Sequence, residues 1–215
     1  MHLMSINLGQ ERMLQRKDWL ERTGIFKLPT QGAVKVTRLG LEGDVILSKK
    51  HHGGPDQAVY VYGARDYEWW SKELGMEIAP GTFGENLTIS ELQSAQFSIG
   101  DTIRINEVNL QVTAPRIPCS TFATRMNDPN WVKKFRHAER PGLYCRVISE
   151  GFVQTGDPVS VERYTGETIS IPEMFRDYYD KDKSEETLRR HLQAPIAIRA
   201  RRDLEQELQI LLSQA

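Results

Sequence analysis

The sequence predicts a mainly β domain followed by a short helical region. Three observations carry that fold class: recurring period-two alternation, frequent Gly and Pro turns, and a change to helical patterning after Tyr164. The alternating segments are Ala33-Val34-Lys35-Val36-Thr37-Arg38-Leu39, Thr102-Ile103-Arg104-Ile105, Val108-Asn109-Leu110-Gln111-Val112-Thr113 and Leu143-Tyr144-Cys145-Arg146-Val147-Ile148. Gly142, Gly151 and the Gly156-Asp157-Pro158 turn punctuate the last of them. Many short strands with such turns point to a closed or sandwiched antiparallel sheet. Two helices interrupt it. Over 64–74, Tyr67, Trp70 and Leu74 fall at helical spacing, and 131–139 is a second candidate.

Past Tyr164 the signals are those of helix ends. Pro172 suits a first helical turn that leads Met174, Phe175, Tyr178 and Tyr179. Ser184 followed by Glu185 and Glu186 supplies a capping hydroxyl and acids at the positive end of the dipole. Leu188 and Leu192 make one stripe, Pro195 breaks it, and a last helix carries Leu204, Leu208, Leu211 and Leu212. Three short helices bury little alone, so they must pack on each other, on the sheet or on a second subunit. The division falls near Tyr164, giving segments 1–164 and 165–215.

Composition narrows the classes of function. The chain has 215 residues, 28 Lys+Arg against 29 Asp+Glu, and a net charge of -1. Mean hydropathy is -0.50. That balance argues against a nucleic-acid polymer as partner and against an acidic tail. No apolar run approaches the roughly 20 residues of a membrane span, and the start lacks the pattern of a signal peptide. Two cysteines, Cys119 and Cys145, are too few for a disulfide scaffold. A cytoplasmic protein is expected.

Three segments could carry chemistry. His51-His52-Gly53-Gly54-Pro55-Asp56 is a tight turn whose histidines could move protons near neutral pH, although solvated surface histidines would look the same. Adjacent histidines without a nearby Cys-x-x-Cys are a poor zinc site. Pro80-Gly81-Thr82-Phe83-Gly84-Glu85-Asn86-Leu87-Thr88 could cradle an anion or a heterocycle edge, or simply be a bulged strand entry. It lacks the Gly-Lys-Ser/Thr ending of a nucleotide P-loop. In Pro115-Arg116-Ile117-Pro118-Cys119-Ser120-Thr121, Arg116 could hold Cys119 as a thiolate, the form that ligates soft metals and attacks electrophiles. A lone cysteine is otherwise a small apolar residue. Cys145, inside an alternating strand, reads as structural. Among Arg116, Arg125, Arg146, Lys49 and Lys50, only Arg116 stands out, by its place beside Cys119. Arg199-Ala200-Arg201-Arg202 reads as an exposed helical face.

The order of these segments resembles the MOSC-domain family, named for the C-terminal domain of molybdenum cofactor sulfurases. The resemblance runs through Gly24-Ile25-Phe26-Lys27, Leu39-Gly40-Leu41-Glu42-Gly43-Asp44, His52-Gly53-Gly54-Pro55-Asp56, Phe83-Gly84-Glu85-Asn86-Leu87, Pro115-Arg116-Ile117-Pro118-Cys119 and Arg140-Pro141-Gly142-Leu143-Tyr144. It is similar above all to the stand-alone bacterial YiiM-like group, associated with resistance to 6-N-hydroxylaminopurine. The resemblance implies a β-barrel core, a small three-helix region after it, and molybdenum cofactor held by Cys119 as a metal ligand. It implies cofactor contacts at Asn86 and Arg116, with Glu85 and Thr121 beside them, and a proton donor at His52 or His51. Gly84 stands where amidoxime-reducing relatives carry arginine, so their phosphate contacts do not transfer.

The activity so implied is reduction of N-hydroxylated compounds: R-NHOH, two electrons and two protons give R-NH2 and water. Two cysteines cannot hold a four-cysteine iron–sulfur cluster and no dinucleotide fingerprint is present, so a separate flavin or iron–sulfur reductase must supply electrons. The helical region would be its docking surface or a homodimer contact. Two rival readings keep the fold. In one, Cys119 carries a persulfide for metal–sulfur cofactors; in the other, the domain binds a pterin or metabolite without catalysis.

Overall fold

A computed structural model describes residues 1–47 and 53–213. The chain opens with five strands, β1 (Leu3–Gly9), β2 (Arg12–Gln15), β3 (Leu20–Thr23), β4 (Lys27–Thr30) and β5 (Val34–Thr37), and the short β6 (Gly40–Leu41). Then come β7 (Val59–Gly63), α1 (Ala64–Leu74), β8 (Leu87–Ile89), β9 (Thr102–Ile105) and β10 (Val108–Pro115). Helices α2 (Ser120–Arg125) and α3 (Trp131–Ala138) precede β11 (Leu143–Ser149), β12 (Gly151–Val153) and β13 (Val159–Glu162). The chain ends in α4 (Ile171–Asp177), α5 (Glu185–Gln193) and α6 (Ile198–Ser213). Each alternating segment of the sequence is a strand, and the predicted helix over 64–74 is α1. Helix α2, straight after Cys119, carries no period long enough to be read from sequence.

Eight strands form one sheet in the order β13-β9-β10-β11-β7-β8-β1-β4. Its pairs are antiparallel except β7 with β8. The sheet turns back on itself. The residues before β1 and β13 meet in a His2–Pro158 bridge, with Leu3 N–H donating to Asp157 O at 2.9 Å and Val159 N–H to Met1 O at 3.0 Å. These bonds cover part of the β13 edge, while β4 stands at the other end of the order. A three-stranded sheet, β12-β5-β6, and the β2–β3 hairpin are separate from it.

Strand β7 shows how one segment serves two cores. All five of its residues are buried, so its two faces separate the packing. Val59 and Val61 join an aliphatic core with Leu3, Ile89, Ile103 and Leu110. Tyr60 and Tyr62 join an aromatic one with Trp70, Phe83, Phe122 and Trp131. Trp70 Nε1 donates to Tyr62 Oη at 2.9 Å, which satisfies both buried polar atoms.

The helical region is fastened to the sheet. Ser170 caps α4, accepting from Glu173 N–H at 3.3 Å, and Ser184 caps α5, accepting from Thr187 N–H at 3.2 Å. Ile171, Leu188, Ile196 and Leu204 lie in the same aliphatic core as the strands. Arg146 on β11 donates to Pro195 O and Ile196 O at 3.2 and 2.9 Å and pairs with Asp56 at 3.0 Å. Asp56 also accepts from Ile198 N–H at 2.7 Å, at the start of α6. In the 199–202 patch, Arg201 is half-buried and donates to the carbonyls of Leu192 and Ala194. Among the described residues no helix is long and apolar enough to cross a membrane.

Arg146→Met removes the ion pair and both carbonyl bonds while keeping an apolar stem. A stability loss of about 1–3 kcal/mol is expected in urea unfolding, with faster amide exchange at the start of α6. Unchanged exchange there would show that the apolar contacts hold the helices alone.

Candidate functional site

Three pieces of backbone converge beside the end of β10. A register shift between Val112 and Ala114 marks a bulge, and bulges re-aim the residues that follow. Beyond it Arg116 turns inward and Cys119 takes the residue before α2 in extended conformation. The 80–86 loop packs against this exit, and the β2–β3 hairpin covers it. Arg16 on that hairpin donates to Ser120 O at 2.9 Å, Thr124 Oγ1 at 2.6 Å and Thr121 Oγ1 at 2.9 Å. Between these pieces lies a cavity of about 490 Å³.

Cys119, half-buried, stands on the cavity wall; Cys145 is fully buried in the sheet core, where burial pushes its thiol pKa up. Arg116 is 4% exposed, yet it stays charged. Burial works against that charge, but the neighbouring Tyr144, Tyr60 and Cys119 more than offset it and raise its pKa. Its guanidinium lies 4.3 Å from the Phe122 ring centroid and 5.0 Å from that of Tyr60. Nη1 donates to Phe83 O, while Nε is buried without a hydrogen-bond partner among the described residues. Gly84 makes this possible. Its φ is 75°, and a Cβ there would lie 3.2 Å from both Arg116 Nη1 and Ile25 Cγ1.

The cavity floor is a polar chain. Lys27 forms a buried ion pair with Asp44, whose Oδ1 accepts from Gly9 N–H at 2.6 Å. Asn86 Nδ2 donates to Asp44 Oδ2 at 2.9 Å, and Asn86 Oδ1 accepts from Tyr60 N–H at 3.1 Å. Burial pulls the Lys27 pKa down, and Asp44 pulls it back up. Arg22 at the rim pairs with Glu11 at 2.6 Å, and Arg16 pairs with Glu21 at 2.5 Å. The lining thus presents Arg16, Arg22, Lys27 and Arg116; carboxylates pair with the first three, and Arg116 has no carboxylate partner among the described residues. Such a cavity favours an anionic occupant.

Of the residues singled out from sequence, Cys119, Arg116, Asn86 and Thr121 line this one cavity. Glu85 does not. Its carboxyl is fully buried beneath the floor, where Oε1 accepts from Tyr67 Oη at 2.6 Å, Gly81 N–H at 2.6 Å and Thr88 Oγ1 at 2.9 Å. Thr121 Oγ1 is engaged by Arg16 and donates to Glu21 at 3.0 Å. His51 and His52 lie outside the described residues, as do Lys49 and Lys50. Sequence reasoning missed Lys27, Asp44, Tyr60, Tyr144, Arg16 and Arg22. Lys27 and Asp44 end two of the stretches that carry the family resemblance; nothing local marks the two hairpin arginines. Elsewhere, Glu173, Asp177 and His191 bring possible metal-ligand atoms within 4.8 Å of one another. Arg190 already pairs with Glu173, and His191 Nε2 lies 2.9 Å from Asp177, so these groups answer one another.

The sequence profile of the MOSC domain matches residues 48–160, more than half of the chain. The chain belongs to the MOSC family. YflK of Bacillus subtilis, described as uncharacterized, is 38% identical over 154 residues, 72% of this chain and 70% of that protein. YiiM of Escherichia coli is 32% identical over 68% of this chain and 67% of its own length. A protein of Gibberella moniliformis named a reductase is 31% identical over 65% of this chain, but that stretch is 25% of the fungal protein. The crystal structure of YiiM from Geobacillus stearothermophilus superposes with a TM-score of 0.77 at 26% identity, covering 96% of this chain and 98% of that one. The MOSC chain is therefore YiiM-like in sequence and fold. Its family and its reductase-named relative fit a molybdenum-cofactor-related role of oxidoreductase type.

Burial raises the Glu85 pKa, so its proton is held more tightly folded than unfolded, and stability falls as pH rises through the folded pKa. Glu85→Gln keeps an acceptor oxygen without that titration. Its stability relative to the parent should therefore increase from acid to neutral pH and then level off, measured by urea midpoints; a falling difference would show that Glu85 is held as the anion.

Proposed function

We propose that this MOSC protein reduces N-hydroxylated compounds to amines with molybdenum cofactor, Cys119 being the protein's ligand to the metal. The chief support is one placement: a half-buried thiol on the wall of a cavity that also collects Arg116, Lys27, Arg16 and Arg22. Thiolate sulfur suits a metal already held by sulfur. A phosphate-bearing pterin suits Arg116, the lining cation without a carboxylate partner among the described residues, whose buried Nε is a donor left to be satisfied. The residues present therefore fit the group. When bound, the cofactor supplies the two-electron chemistry.

The chain's own residues bind, orient and move protons. Arg116, packed between Phe122 and Tyr60, holds positive charge beside Cys119. Asn86 acts through others: its amide is spent on Asp44 and Tyr60, so it fixes the carboxylate that holds Lys27. Lys27, paired with Asp44, then stands on the cavity wall. Thr121 and Arg16 fasten the hairpin over the cavity and limit water entry. Balance of R-NHOH to R-NH2 and water requires two protons. His52, with His51 beside it, is the proposed donor, because imidazole titrates near neutral pH. Electrons come from a separate flavin or iron–sulfur reductase.

The deciding experiment counts molybdenum and pterin per chain in protein from a cofactor-competent host, with Cys119→Ala purified alongside. Metal in the parent and none in the variant is expected. Neither metal nor pterin in the parent, even after reconstitution, would overturn the proposal and direct attention to a Cys119 persulfide. For His52→Ala, turnover should fall by about 10²-fold or more with molybdenum retained. Normal turnover would remove His52 from the mechanism and make Lys27→Met the next variant to assay.

A further inference from the structure

A second cavity, of about 430 Å³, lies between the end of β10 and the three C-terminal helices. It shares a wall with the first. Along the Pro115–Cys119 stretch, Pro115 and Ile117 line the second cavity while Arg116 and Cys119 line the first. Gln57 borders both. Prolines at 115 and 118 stiffen this partition, so the cavities are neighbours with a backbone between them.

The lining states what kind of ligand fits. Ala114, Ala197 and Ala200 are small and leave room, and Ile117, Met174 and Leu204 supply apolar walls. The volume lies in the range of sites for small organic molecules. The buried basic side chains of the lining already have partners: Lys183 Nζ is 3.1 Å from Glu207, and the His191 imidazole is 2.9 Å from Asp177. An ionic ligand in the buried part of the cavity would have to break those pairs, while Arg199 and Asp203, also on the lining, are exposed. One acceptor is left over. The side-chain oxygen of Gln57 is buried and has no hydrogen-bond partner among the described residues. A buried acceptor without a donor is costly, and a ligand N–H would relieve that cost.

We propose that this cavity is a second small-molecule site, for a neutral, largely apolar compound that donates one N–H to Gln57. The site does not depend on the cofactor assignment, since none of its lining residues is the proposed metal ligand. Titration calorimetry with indole, and with benzothiophene as an isostere lacking the N–H, tests it on the full chain. Indole is expected to bind the parent and Cys119→Ser equally, and to bind more tightly than benzothiophene. Ala200→Phe, which fills the second cavity without touching the first, should weaken indole by tenfold or more. Gln57→Leu should lower indole affinity about five- to tenfold and abolish the preference over benzothiophene. A thermal melt of each variant separates lost binding from lost folding, and Ala200→Leu replaces Ala200→Phe if the latter unfolds. No binding to the parent, undiminished binding to a folded filled variant, or an undiminished preference in Gln57→Leu would overturn the proposal.

Discussion

A guanidinium buried among aromatic rings is the constraint around which the site is built. Taking the Arg116 charge out of water is expensive unless its surroundings answer it. Here the Phe83 carbonyl, the faces of Phe122 and Tyr60 and the nearby Cys119 do so. Each comes from a different part of the chain: the 80–86 loop, α2, β7 and the β10 exit. Placing one cation therefore fixes four segments at once, and Cys119 is set three residues beyond it. Gly84 is part of the same constraint, since any side chain there would contest the space of Nη1.

Beneath this cation the polar residues are spent largely on the scaffold. Asn86 and Glu85, adjacent in sequence at the entry to β8, serve opposite tasks. Asn86 ties the Asp44 carboxylate to β7, and Asp44 in turn holds Lys27. Glu85 gathers a tyrosine, a backbone amide and a threonine below the floor. Its burial raises its pKa, while the same environment lowers that of Lys27. The floor is thus held by hydrogen bonds and one buried ion pair, with the loop acid beneath it.

The helical region depends on the same part of the chain. Asp56, four residues after His52, neutralises Arg146 and caps the start of α6. The residues of the His-Gly-Gly-Pro-Asp stretch thereby reach in two directions: Gly53 borders the Cys119 cavity and Asp56 anchors the helices. Gln57 next to it borders both cavities. A motif that looks like one unit in sequence is split in space because a tight turn sends successive side chains apart.

The sequence by itself determined what depends on neighbours along the chain. Period-two alternation is a property of extended backbone, so β9, β10 and β11 were legible. The apolar spacing of Tyr67, Trp70 and Leu74 marked α1, and Ser184 with its following acids marked the start of α5. Cys145 was legible as structural because its stretch alternates in sequence, and the strand holds it fully buried. That Cys119, Arg116 and Asn86 belong to one place followed from the order of motifs, not from any contact, and they line one cavity. Tertiary structure alone decided the rest. Six residues of α2 are too few to show a helical period, and Arg16 and Arg22 reach the cavity only because the hairpin folds over α2. Glu85 turns away from the cavity for a reason no local pattern records: its Oε1 is answered by Tyr67 and Gly81, brought there by α1 and the loop turn. Pairing between segments far apart in sequence is set by which buried groups find partners, and only the folded chain makes that choice.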